Sequence, residues 1–166
     1  MSRNPQEEYI ELYRQMASVC KEQGWGDPFS YARSKEIYAA CKLNHKIADE
    51  YSGADAITQS GEEVEYKSTI GSKVKGAYTG ISVQPTWEKQ VEYLKKDKIL
   101  KYSEHYFNRF ENGALVESWR LTGQQVYDIL LPKLKKKFST ALTKKDPRLA
   151  ANVSYKNILE QGTRVL

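Results

Sequence analysis

Between the runs HYFNRF and ALVESWRL stands Glu111-Asn112-Gly113. Asn-Gly between alternating apolar runs is a strong short-range hairpin signal, because both residues accept the positive φ of turns whose twist matches that of paired strands. An antiparallel pair is therefore fixed near the middle of the chain, and the remaining segments have to pack around it. Upstream the period is helical. In PQEEYIELYRQMASVCKE (5–22), Tyr9, Leu12, Tyr13, Met16, Val19 and Cys20 share one apolar helix face. Pro5 suits the first turn, Glu7 and Glu8 suit the positive end of the dipole, and QGWGDP supplies the stop. The spacing predicts a second helix from about Ser30, with Ile37, Tyr38, Ala40 and Cys41 facing in, Arg33, Lys35 and Lys42 on its polar face, and fraying near Asn44.

After about residue 50 the period falls towards two. Ala54 to Ile57 and Glu63 to Ser68 read as strands joined by a turn at Gln59-Ser60-Gly61, and KVKGAYTGIS continues extended. Pro85 opens the helical stretch TWEKQVEYLKK, with Trp87, Val91 and Leu94 on one face. Thr122 with Gln125 reads as a capping box opening a helix that buries Val126, Ile129 and Leu130, and Pro132 is expected to kink or divide it. Beyond it Leu134, Phe138 and Leu142 recur at steps of four while Lys133, Lys135, Lys136 and Lys137 turn mostly outward, and NVSYKNIL and TRVL read as short closing strands around Gly162. This order predicts a single mixed α/β domain of 166 residues: a helical region over about 1–45, a sheet region over about 50–120, and a basic helix with closing strands over about 121–166.

Charge is unevenly placed. Residues 1–70 hold eight Lys and Arg against twelve Asp and Glu, whereas residues 71–166 hold eighteen against nine. A basic half with scattered aromatics suits a surface that meets a polyanion, where each cation set against a phosphate releases a counterion. Cys20 and Cys41 lack metal-ligand spacing and read as buried or half-buried thiols in a reduced compartment; His45 and His105 lack such spacing too and read as structural or exposed. The first residues show no apolar signal stretch and no run approaches membrane-span length, so the expectation is a cytoplasmic protein with no membrane partner.

Within GADAITQSGEEVEYKS (53–68), strand geometry places Glu65 and Lys67 on one face and Val64 and Tyr66 on the other. The turn after Ile57 brings Asp55 back beside Glu65. Two converging carboxylates with the intervening Tyr66 backbone carbonyl are the hard oxygen donors that Mg²⁺ prefers, and a nearby ammonium, Lys67, is suited to orient a water and offset charge at phosphorus. The same three charges also fit an ion pair on an exposed hairpin.

Asp55, nine residues, then Glu65-Tyr66-Lys67 resembles the PD-(D/E)xK nuclease motif, here without the Pro. With VKGAYTGISVQP and the C-terminal LEQGTRVL, and more weakly ILKYSEHYFNRFENGALVESWRL, the chain resembles the PvuII-like family of type II restriction endonucleases. That resemblance implies a restriction-endonuclease-like central mixed sheet flanked by helices, and a homodimer that cuts both strands of double-stranded DNA at a short, palindromic site. It implies Mg²⁺ held by Asp55, Glu65 and the Tyr66 carbonyl, Lys67 as catalytic lysine, and N-terminal helices in the dimer interface. Where the family has base-reading histidines this chain has Gly80-Ile81-Ser82, and Ser52 stands where the family has an acidic residue, so a different recognition sequence is expected. Tyr78, Thr79, Ser82 and Gln84 are the predicted base readers, Lys73 and Lys75 the phosphate contacts, and Asn152 the counterpart of a base-reading Asn. Two alternatives stay open: another nuclease of the superfamily, such as a junction resolvase or nicking repair enzyme, and a non-catalytic basic DNA-binding protein.

Overall fold

A computed structural model of the chain describes residues 4–49 and 53–166. Helix α1 (Pro5–Gln23) starts where predicted: the Asn4 side chain accepts the Gln6 N–H at 3.1 Å, and Gly24 ends the helix at φ +69°. Of its apolar face only Cys20 enters the core. Tyr9, Ile10, Leu12, Tyr13, Met16 and Val19 are between 45% and 68% exposed.

Helix α2 (Arg33–Lys42) departs from its predicted faces. Ala39 and Ala40 are buried and Ile37 and Tyr38 half-buried, but Cys41 is exposed, and Arg33, expected on the polar face, is only 8% exposed. Arg33 enters because acceptors await it: Nε donates to the Trp25 carbonyl and an η-nitrogen to the Ala48 carbonyl, each at 2.7 Å, with Glu36 as counter-charge at 3.4 Å. A buried guanidinium is tolerated when paired and hydrogen-bonded in this way.

Strands β1 (Lys46–Ile47), β2 (Ala56–Ile57), β3 (Glu63–Thr69), β4 (Gly76–Ser82), β5 (Glu104–Glu111), β6 (Ala114–Thr122), β7 (Arg148–Val153) and β8 (Thr163–Arg164) form two sheets among the described residues. One has the order β1-β2-β3-β5-β6-β8 and is antiparallel except for the parallel β3–β5 pair; the other pairs β4 with β7. The β5–β6 hairpin turns through Asn112 (φ +49°) and Gly113 (φ +80°), as the sequence required. Between β4 and β5, α3 (Trp87–Tyr93) runs into a π-helical turn, Leu94–Lys98.

Helix α4 (Gly123–Leu142) opens on the predicted Thr122–Gln125 capping box and passes undivided through Pro132. Pro132 is exposed, so water can replace the donor it removes from the Asp128 carbonyl. Ala141, not the predicted Leu142, completes its buried face, and Leu142 is exposed. NVSYKNIL is not a strand beyond Val153. Ser154 and Asn157 form a second capping box that starts α5 (Tyr155–Gln161), overriding the β-like composition.

The sheet is covered on both faces. Val64, Tyr66, Tyr106, Phe110 and Leu115 pack against Ala39 and Ala40 of α2, while Phe107 and Leu121 pack with β4, β7 and the buried side of α4. Glu65 and Lys67 stand opposite His105 and Phe107 in register, which puts them on the side where β4 crosses. The crossing is close: a Cβ on Gly76 would lie 2.2 Å from the Phe107 ring, and Phe107 is fully buried. Gly76→Ala is expected to lose about 1–3 kcal/mol of stability in urea titration, the cost of overpacking a core that cannot shift. A variant as stable as the parent would mean that β4 does not lie against Phe107.

Candidate active site

Asp55 directly precedes β2, and backbone pairing fixes it. Its N–H donates to the Val64 carbonyl at 3.1 Å, and its carboxylate Oδ2 accepts the Tyr66 N–H at 2.6 Å. A strand residue's N–H and C=O leave by the same edge, so the Tyr66 carbonyl also emerges on the Asp55 side of β3. Glu65 and Lys67, two residues apart, project to one face and form an ion pair between Glu65 Oε1 and Lys67 Nζ. The predicted trio thus converges. It lines a cavity of about 280 Å³, together with Tyr78, Thr79 and Tyr102.

The electrostatics of the carboxylates are strained. Burial, then the Glu65 and Glu36 carboxylates, push the Asp55 carboxyl up to about 8, against the opposite pull of the Tyr66 N–H and the Lys67 ammonium. Glu36 of α2 is itself raised, by burial first, with Arg33 opposing. A carboxyl whose charge is opposed first by burial and then by neighbouring carboxylates is one that a divalent ion would favour in its charged form, and two carboxylates plus a carbonyl are hard donors of the kind Mg²⁺ takes. Among the described residues no group of three or more His, Cys, Asp and Glu side chains is arranged around a metal position. An ion here would therefore draw on Asp55, Glu65, the Tyr66 carbonyl, and water or phosphate oxygens.

The predicted DNA-contacting residues separate into groups. Lys73, Lys75 and Asn152 are exposed and come together along one depression of about 440 Å³. Thr79 is exposed at the cavity itself. Ser82 is half-buried and its hydroxyl accepts from Arg148 at 2.9 Å, while the Gln84 backbone N–H is held by the Gln90 side chain at 2.8 Å. Tyr78 is a correction. It is 7% exposed with its hydroxyl against His105, so its side chain is committed to the interior and not free to read a base. Ser52 lies outside the described residues.

Several contributors had no sequence signal. Tyr102 reaches the cavity from just before β5 and donates its hydroxyl to the Gly53 carbonyl; burial raises its pKa. Lys98 joins the lining from the π-turn. His105, expected to be merely structural or exposed, lies fully buried beside the cavity, and burial pushes its imidazole down to about 4. It entered no motif because only the non-local β3–β5 pairing sets it opposite Glu65.

No protein-family model matches the sequence, and no curated protein matches it significantly. Among the described residues no helix is long and apolar enough to cross a membrane.

Proposed function

We propose that the chain is a type II restriction endonuclease with a restriction-endonuclease-like fold, a Mg²⁺-dependent enzyme that hydrolyses phosphodiester bonds in both strands of double-stranded DNA at a short specific sequence. The observation that carries this reading is the convergence of Asp55, Glu65 and Lys67 on one cavity, with Asp55 pinned to the Tyr66 N–H at 2.6 Å. An ion pair on a bare hairpin would not require a half-buried carboxylate within the field of two others. When bound, Mg²⁺ would polarise the scissile phosphate and acidify a coordinated water. The chain's own residues do the rest. Asp55 and Glu65 hold the donor oxygens in place, and Lys67 offers a compact ammonium to orient the attacking water and to offset charge developing at phosphorus.

The basic segments around the cavity fit a duplex. Lys73 and Lys75 stand exposed just before β4, with Asn152 of the paired β7 beside them, and Lys98 lines the cavity, so exposed cations are available to meet phosphates. Plasmid DNA incubated with and without Mg²⁺ tests the reading: discrete double-strand fragments support it. Nicks alone, cutting of branched substrates alone, or retardation without cutting would each overturn it.

Cutting both strands calls for two sites, and the bare face of α1 supports a second copy as the partner. Six large apolar side chains left half in water forgo on the order of 1–2 kcal/mol each relative to burial. Beside them lies an apolar groove of about 760 Å³ lined by Met16, Cys20, Tyr38, Cys41, Ile70 and Phe110. Leu12→Glu with Met16→Glu is expected to sediment as a monomer and to nick DNA where the parent breaks both strands. A variant that still sediments as a dimer would place the interface elsewhere.

A further inference from the structure

We infer that Tyr78 is the positioning residue of Lys67: its ring holds the Lys67 ammonium over the cavity, and His105 holds the ring. This deepens the nuclease reading and rests on it for the role of Lys67, but the contact itself is independent of any activity.

Lys67 Nζ lies 4.9 Å from the centre of the Tyr78 ring. The same ammonium pairs with the Glu65 carboxylate. A lysine carries its charge on a four-carbon stem with many rotamers, so an ammonium that must sit at one place in a transition state needs more than a single flexible partner. The aromatic face supplies it, because the ring quadrupole attracts a cation and the attraction is strongest where water is excluded.

What fixes the ring is a buried chain of hydrogen bonds. The Tyr78 hydroxyl is 2.9 Å from His105 Nδ1, and His105 Nε2 is 3.0 Å from the Ile99 carbonyl. A carbonyl can only accept, so Nε2 carries the hydrogen; the neutral ring then leaves Nδ1 as an acceptor, and the Tyr78 hydroxyl donates to it. A phenol that donates is the more electron-rich, which strengthens its hold on the ammonium. The backbone aims the ring as well. Between Tyr78 and Ile81 the β4–β7 register shifts, with Gly80 at φ +65°, so that Tyr78 and Ile81 both face inward while Thr79 stays exposed. Unbroken alternation would put residues three apart on opposite faces.

The simpler account is that Tyr78 is core and that His105 merely satisfies its hydroxyl. The two accounts differ in what Tyr78→Phe and Tyr78→Leu do. Phe keeps the ring and loses the hydroxyl, whereas Leu loses the ring. Positioning predicts that under single-turnover conditions with saturating DNA and Mg²⁺, Tyr78→Leu cleaves roughly 30-fold more slowly. Tyr78→Phe, which keeps the packed ring but gives up the bond to His105, should lose only about threefold, and DNA affinity should be unchanged in both. The assigned Lys67 ε-methylene protons should resonate upfield under the ring current in the parent and in Tyr78→Phe, and lose that displacement in Tyr78→Leu. The same spectra report whether each variant is folded. Equal losses in Phe and Leu, a Leu variant as fast as the parent, or a Lys67 signal insensitive to the ring would each overturn the inference. If the folded parent itself cleaves no DNA, the nuclease reading falls, while the Lys67 resonance still decides whether Tyr78 positions the ammonium.

Discussion

Lys67→Ala is expected to slow cleavage of duplex DNA by about 10²–10³-fold while leaving DNA affinity within a few-fold of the parent. The size follows from removing one preorganised charge from the place where negative charge develops, in a site partly closed to water. Affinity should survive because Lys73, Lys75 and Lys98 remain to meet phosphates, and each contributes its own share of counterion release. Lys67→Arg should restore little, since a planar fork cannot take the place of a point ammonium between Glu65 and the Tyr78 ring. Rates at saturating DNA, with affinities measured separately without Mg²⁺, separate chemistry from binding. Cleavage by Lys67→Ala as fast as the parent's would take Lys67 out of the reaction and leave it only as the partner of Glu65 in an ion pair.

The second large effect concerns Asp55, and its sign is opposite for stability and for activity. The folded-state pKa of Asp55 is raised from an ordinary 3.8 to about 8, so the folded protein binds this proton more tightly than the unfolded chain does. Its contribution is therefore fully present below about pH 4 and is lost as pH rises through about 8. Without divalent cation the parent should become less stable across that window. Asp55→Asn keeps an oxygen to accept the Tyr66 N–H and carries no charge. At pH 8 it should exceed the metal-free parent by at least about 1.4 kcal/mol, the equivalent of one pKa unit, or roughly 3–5 °C in melting temperature. The same variant should cleave no DNA measurably. Millimolar Mg²⁺ should raise the melting temperature of the parent, by mass action on the folded state, and leave Asp55→Asn unmoved. Thermal melts over pH 4–8 with and without Mg²⁺ decide this. An Asn variant less stable than the parent at pH 8 would show that the carboxylate is not strained, and an equal Mg²⁺ response in both proteins would move the metal away from Asp55. A carboxylate that costs the fold stability yet occupies a cavity is the pattern expected where function, not packing, selects the residue.

Much of the local structure could be read directly from the residues. The Asn112-Gly113 turn, the Thr122–Gln125 capping box and the start of α1 formed as predicted because each depends on groups within a few residues of one another. The pairing of Asp55 with the Glu65 strand was legible for the same reason: a short turn sets the register of β2 and β3, and the register sets which side chains meet. Composition misled where a local device competed with it. NVSYKNIL reads as a strand until Ser154 and Asn157 cap a helix, and Arg33 reads as surface until two carbonyls accept its guanidinium.

Backbone periodicity and a short turn suffice to place the β2–β3 hairpin, and with it the meeting of Asp55, Glu65 and Lys67. What surrounds them is set by contacts between distant segments. The parallel β3–β5 pairing sets His105 opposite Glu65, the transfer of β4 into a sheet with β7 lays Tyr78 beneath Lys67, and α2 brings Glu36 towards Asp55. The β3–β5 and β4–β7 pairings join segments with whole helices between them, and no periodicity records such a contact, since the same apolar pattern would satisfy several non-local partners. The bare face of α1 belongs with them: its pattern announced an apolar stripe, but whether that stripe was spent on the core depended on what the rest of the chain had left to cover.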